Sequence, residues 1–256
     1  MSDYPDALWL SVSPGAQCFD RPLLHYLAKH LLVAEWEYRQ TQDEPNSFDV
    51  AMVLLHDYLK HSDRPIHLLG HGTSGLLALL YARRHPERVR SLTLLAVGAN
   101  PAVDWQAHYY GHRQLLPCSG QRILTQLVHH LFGYQSAPIA RALNRILQHD
   151  LDHALSPHTL FHRISIVPDS VSVPLLVCGS DDDMVVDPCQ LRGWQPWLGK
   201  RDRQWLCPSG RHFFHYFHPQ KVGDQTLSFW ASLQPSLQPS SLNLDNTKSM
   251  ESMGTI

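Results

Sequence analysis

Apolar residues in this chain fall into short continuous runs that alternate with stretches of helical spacing. Leu8 to Val12 is an apolar run closed by Ser13, Pro14 and Gly15, the pattern of a buried strand entering a loop. From Asp20 to Leu32 the positions Leu23, Leu24, Leu27, Leu31 and Leu32 recur at helical spacing, with Asp20 as N-cap and Pro22 in the first turn. Leu32 to Tyr38 predicts a second strand. Ser47 caps a predicted helix to Lys60, whose apolar face includes Val50, Val53, Leu54 and Leu59. Pro65 to Leu69 predicts a strand, Gly70 to Gly75 a tight turn, and Leu76 to Arg84 an apolar helix stopped by Pro86. Val89 to Val97 predicts another buried strand.

The alternation breaks at residues 101–168, where Ile123 to Phe132 and Ile139 to Leu155 read as helices with no clear strand among them. It resumes with a strand at Pro174 to Cys178, an acidic turn, a strand at Gln204 to Cys207 and a helix from Pro219 to Trp230. Strands and helices alternating at this spacing predict an α/β fold: a mainly parallel sheet with helices on both faces and a helical lid inserted at 101–168. The domain is expected to span residues 1–231. Residues 232–256, which open with a repeated SLQPSLQPS and have no periodicity, read as a flexible tail.

Composition removes function classes rather than adding them. Twenty-one Lys and Arg against 23 Asp and Glu give a net charge of -2, so no global field draws the chain to nucleic acid. No apolar run is long enough to span a membrane, and Met1 to Ala7 carries Asp3 and Asp6 where a leader would carry basic residues; a cytoplasmic protein is expected. The five cysteines are scattered and never spaced as CxxC, which predicts buried or idle thiols. Eight of the 18 histidines lie between His108 and His162, and four pairs stand at i, i+4; without a following Glu in the HExxH manner they read as solvated or lid-packing residues, and no metal or cofactor is expected.

The segment IHLLGHGTSGLLALLYARRHPERVRSLTLL, Ile66 to Leu95, resembles the nucleophile-elbow region of the α/β-hydrolase superfamily. There a strand ends in Gly-X-nucleophile-X-Gly, and matching Gly70 and His71 to the opening pair puts Gly72 at the nucleophile position. VPLLVCGSDDDMVVDP, Val173 to Pro188, resembles the strand that delivers the acid; the resemblance places it at Asp182, with Asp181 and Asp183 as close competitors. CPSGRHFFHYFHPQKV, Cys207 to Val222, resembles the histidine loop and implies His212 as the catalytic histidine over His215 or His218. The first loop reads Ser13-Pro14-Gly15-Ala16-Gln17 where many members have His-Gly, and the resemblance implies oxyanion-hole backbone donors at Ala16 and Thr73.

A glycine offers no oxygen for an imidazole to deprotonate, so covalent acyl transfer is not expected from Gly72. Three functions follow. The first is a non-hydrolytic protein with a ligand- or partner-binding, regulatory role. The second is an enzyme that uses Asp182 and His212 as a proton-transfer dyad on a small apolar substrate under the lid. The third is a serine-type hydrolase that borrows the hydroxyl of Ser74 or Thr73, although Ser74 is expected to face protein and Thr73 to point away from the apex.

Overall fold

A computed structural model of the chain describes residues 4–234 apart from 42 and 46. All of the predicted tail but residues 232–234 lies outside the described residues. The chain runs β1 (Ala7–Ser11), α1 (Gln17–Leu27), β2 (Val33–Glu37), α2 (Asp49–Leu59), β3 (Ile66–His71), α3 (Gly72–Arg84) and β4 (Val89–Leu95). Three helices follow without a strand between them: α4 (Trp105–Leu115), α5 (Gly120–Phe132) and α6 (Ala137–His153). The alternation then closes with β5 (Leu175–Ser180), α7 (Pro188–Arg192), β6 (Arg203–Cys207), α8 (Phe214–Phe217) and α9 (Pro219–Ser232).

The six strands form one sheet in the order β2-β1-β3-β4-β5-β6, parallel at every pairing. Side chains alternate across each strand, so both faces need cover. Leu8, Leu10, Leu68, Leu92, Leu94, Leu175 and Val177 feed one core. Trp9, Leu69, Leu95, Leu176 and Cys178 feed the other, under α1 and α9. The chain leaves β1 for β2 on one side and returns to β3 on the other, so the carboxyl ends of β1 and β3 flank the switch point where open α/β sheets bind ligands.

Two sequence expectations change. Helix α2 buries Ala51, Met52, Leu55 and Leu59 and leaves Val50, Val53 and Leu54 exposed, because the stripe 52-55-59 faces the sheet. Helix α4 was not predicted: its residues are largely polar, with Gly111 inside, and its one local signal is Asp104, whose carboxylate accepts the Ala107 N–H at 2.8 Å as an N-cap. Among the described residues no helix is long and apolar enough to cross a membrane.

The turn from β3 into α3 is packed backbone against backbone. A Cβ on Gly70 would stand 2.6 Å from Gly75 N, and one on Gly75 would stand 2.8 Å from Gly70 O. Neither neighbour is a movable side chain, so Gly70→Ala is expected to cost about 1–3 kcal/mol, read as a lower denaturation midpoint. An unchanged midpoint would mean that α3 does not sit this close to its strand.

Candidate active site

Gly72 is the first residue of α3 and has φ +51°, a left-handed conformation at the point where β3 turns into the helix. A side chain here costs of order 1–3 kcal/mol and a glycine almost nothing. A Cβ at Gly72 would meet only His212 Nε2, at 3.8 Å. His212 is fully buried, and its Nε2 has no hydrogen-bond partner among the described residues. Its other nitrogen is committed: Nδ1–H donates to Asp183 Oδ2 at 3.0 Å. In the neutral ring that bond selects the Nδ1–H tautomer, which leaves the Nε2 lone pair facing the apex glycine.

The carboxylate on His212 is therefore Asp183, not the expected Asp182. Past the end of β5 the Asp183 N–H bonds back to Ser180 O, and that turn carries Asp183 inward. Its Oδ1 accepts the amides of Val185 and Val186 at 2.8 and 3.2 Å, so the acid is held by two backbone donors while Oδ2 orients the imidazole. Asp182 points toward solvent, where it accepts Ser180 Oγ–H at 2.7 Å and the Arg211 N–H at 2.8 Å and so fastens the histidine loop. Three consecutive aspartates give no sequence signal for which one turns in.

Both neighbouring hydroxyls are engaged elsewhere. Ser74 Oγ accepts the Val12 N–H at 3.0 Å, tying the end of β1 to α3. Thr73 Oγ1–H donates to the buried Asp104 carboxylate at 2.6 Å. Of the two expected oxyanion donors, Ala16 N–H is already spent on Ser13 O at 3.1 Å, closing a turn. Thr73 N–H lies in the first turn of α3, where amides have no partner within the helix.

A cavity of about 20 Å³ sits over this apex, lined by Ala16, Asp20, His71, Gly72, Thr73 and His212 among others. That is space for about one water. Two of its walls were missed in the sequence. His71 donates Nε2–H to the main-chain oxygen of His212 at 2.9 Å, and its ring stands 4.8 Å from His212 and 4.4 Å from His215. Burial, then the neighbouring His215 and His212, hold His71 well below the usual imidazole range, so it is neutral. Asp20, expected as a helix cap, instead accepts His215 Nε2–H at 3.0 Å and Trp9 Nε1–H at 3.1 Å. A second buried Asp–His pair thus backs the first. The i, i+3 spacing of His212 and His215 was its only sequence trace.

Helix α6 reaches the same region through Asp150, which is buried and accepts the Gly15 N–H at 3.2 Å. Burial pushes its carboxyl up to about 7, against the lowering bonds from Gly15 and Ser13, with Asp20 and Asp104 adding to the rise. The folded protein holds this proton where the unfolded chain, with its carboxyl near pH 4, has released it. The stability attached to Asp150 is full below the unfolded value near pH 4 and is lost as pH climbs from there through about 7. The thermal midpoint of the native protein, measured against Asp150→Asn, is expected to fall by several degrees between pH 5 and 8. A constant difference between the two would contradict it.

No protein-family model matches the chain. An uncharacterized protein of Synechocystis sp. is 46% identical over 237 residues, covering 93% of this chain and 94% of its own. One from Nostoc sp., also uncharacterized, is 46% identical over 237 residues, covering 92% and 95%. The chain belongs to their family. Among solved structures, a thermophilic esterase superposes with TM-score 0.70 at 14% identity over 91% of this chain and 92% of that one. A hydrolase from Pseudomonas aeruginosa gives TM-score 0.67 at 20% identity over 90% and 91%. An epoxide hydrolase from Bacillus megaterium gives 0.62 at 14% over 88% and 93%. The family has the α/β-hydrolase fold, as the elbow, acid and histidine segments implied.

Proposed function

We propose that this protein is a non-hydrolytic member of the fold, whose pocket binds a small hydrogen-bond-donating ligand at His212 and forms no acyl-enzyme. The observation that carries the reading is the apex itself. Gly72 has no side chain, the hydroxyls of Thr73 and Ser74 are bonded to Asp104 and to Val12 N–H, and His212 Nε2 is left buried with a lone pair and no donor among the described residues. An unpaired buried acceptor costs about 1–3 kcal/mol, which a ligand that donates to it recovers on binding. Helices α4 to α6 act in this reading as the lid over the pocket. Native protein is expected to turn over no short-chain ester above the uncatalysed rate. Turnover sensitive to His212→Ala would overturn the proposal.

A second reading is favoured by the intact Asp183–His212 pair. A neutral imidazole with a buried carboxylate behind it is a general base for a water or ligand proton over Gly72, with the resulting imidazolium stabilised by Asp183. Under this reading, proton removal and ligand binding share the same atom, His212 Nε2.

A further inference from the structure

Among the described residues four carboxylates are buried, Asp20, Asp104, Asp150 and Asp183, and no lysine or arginine is. One lies in the wall of the cavity over Gly72 and the other three bond residues in that wall or next to it. Asp20 lines it. Asp183 holds His212, Asp104 holds the Thr73 hydroxyl, and Asp150 holds Gly15, next to the lining residue Ala16. Their countercharges are incomplete. Asp183 is bonded by the His212 ring and two backbone amides, and Asp20 by the His215 ring and the Trp9 indole. His158 Nε2 stands 3.8 Å from Asp104 but donates to Ala102 O at 2.7 Å, and Asp150 has only neutral donors. Burial accordingly pushes both Asp20 and Asp150 upward.

The acceptors that face the cavity point the same way. His212 Nε2 is buried, unpartnered and directed at the space a Gly72 side chain would fill. His71 is a neutral ring whose donor is already used on His212 O. Ala16 N–H, expected to receive an oxyanion, is spent on Ser13 O. Against a carboxylate or phosphate the buried carboxylates repel, and the donor set against that repulsion is the Thr73 N–H in the first turn of α3.

Resting on the ligand-binding reading above, we infer that the occupant is a small cation that donates hydrogen bonds, an ammonium ion or a protonated primary amine, rather than an anion or the small apolar ligand expected from the sequence. Its N–H groups donate to His212 Nε2 and to the Asp20 side of the cavity, where its charge faces the Asp20 carboxylate. No bond is made or broken. A site of about 20 Å³ admits an ammonium head group and excludes a tetraalkylated one.

The test is a thermal-shift titration of the full chain with ammonium and methylammonium chloride at constant ionic strength, beside sodium acetate and tetramethylammonium chloride. Only a ligand of the native state raises the midpoint, and it does so with its own concentration dependence. A saturable rise is expected with ammonium or methylammonium and none with the other two. The effect should weaken at least about ten-fold in apparent affinity in Asp20→Asn. It should also be lost in Gly72→Ala, whose methyl group occupies the cavity at ordinary contact distance from His212. The two variants act on different walls, so misfolding of one leaves the other decisive. A rise with acetate, an equal rise with tetramethylammonium, no rise at all, or equal rises in both variants would overturn the inference. The base reading is tested separately, by ester turnover in Gly72→Ser: amine binding without turnover removes that reading and keeps the ligand class, and turnover without amine binding does the reverse.

Discussion

Gly72→Ser is expected to create ester hydrolysis at least about a hundred-fold above the native protein, the low end of what a positioned general base contributes. The geometry asks for little else. A Cβ at this position stands 3.8 Å from His212 Nε2 with nothing else within 4 Å, so one further bond brings an oxygen into hydrogen-bond reach of the lone pair. Asp183 already fixes the ring in the tautomer that accepts a proton. The φ of +51° makes the serine cost of order 1–3 kcal/mol in stability, so the variant should be less stable while more active. Efficient catalysis is not expected: Ala16 N–H is bonded to Ser13 O, and a missing oxyanion donor is worth roughly 10²- to 10³-fold. Adding His212→Ala to Gly72→Ser should return turnover to background. Turnover that survives the second substitution would mean the serine is not activated by His212.

Asp183→Ala is expected to destabilise the protein by about 3–5 kcal/mol, since each buried donor left without an acceptor costs about 1–3 kcal/mol. Three donors lose their acceptor together: His212 Nδ1–H and the amides of Val185 and Val186. Asp182→Ala should cost under about 2 kcal/mol, because that carboxylate is partly solvated and water replaces it at Ser180 and Arg211. Denaturant midpoints of the two variants decide between the aspartates, and equal losses would contradict the assignment of Asp183 as the acid behind His212.

The central strands β1, β3, β4 and β5 were legible in the sequence because parallel strands buried on both faces are largely apolar runs, while the half-exposed edge strands β2 and β6 showed themselves by aromatic and apolar residues among polar ones. Each of the six predicted strands overlaps an observed one. The helices of 101–168 were legible only where apolar residues repeat, as in α5 and α6, whereas polar α4 shows itself by a single capping aspartate. The face of α2 was misread because its apolar residues surround more than half the helix, and only the sheet decides which stripe turns in. At the site, Gly72 and His212 were singled out by the resemblance of the elbow and histidine segments to those of the α/β-hydrolase superfamily. The inward acid was not, since adjacent aspartates differ only in where a turn aims them. The Asp20–His215 pair joins residues 195 positions apart, and no local pattern announces such a contact.

The central claim is that this α/β-hydrolase fold keeps its histidine and acid while lacking a nucleophile. Intact mass after treatment with a fluorophosphonate probe tests it most directly, with the native protein and Gly72→Ser handled side by side. The account predicts no adduct on the native protein and a single adduct on Gly72→Ser. An adduct on native Ser74 or Thr73 would contradict it.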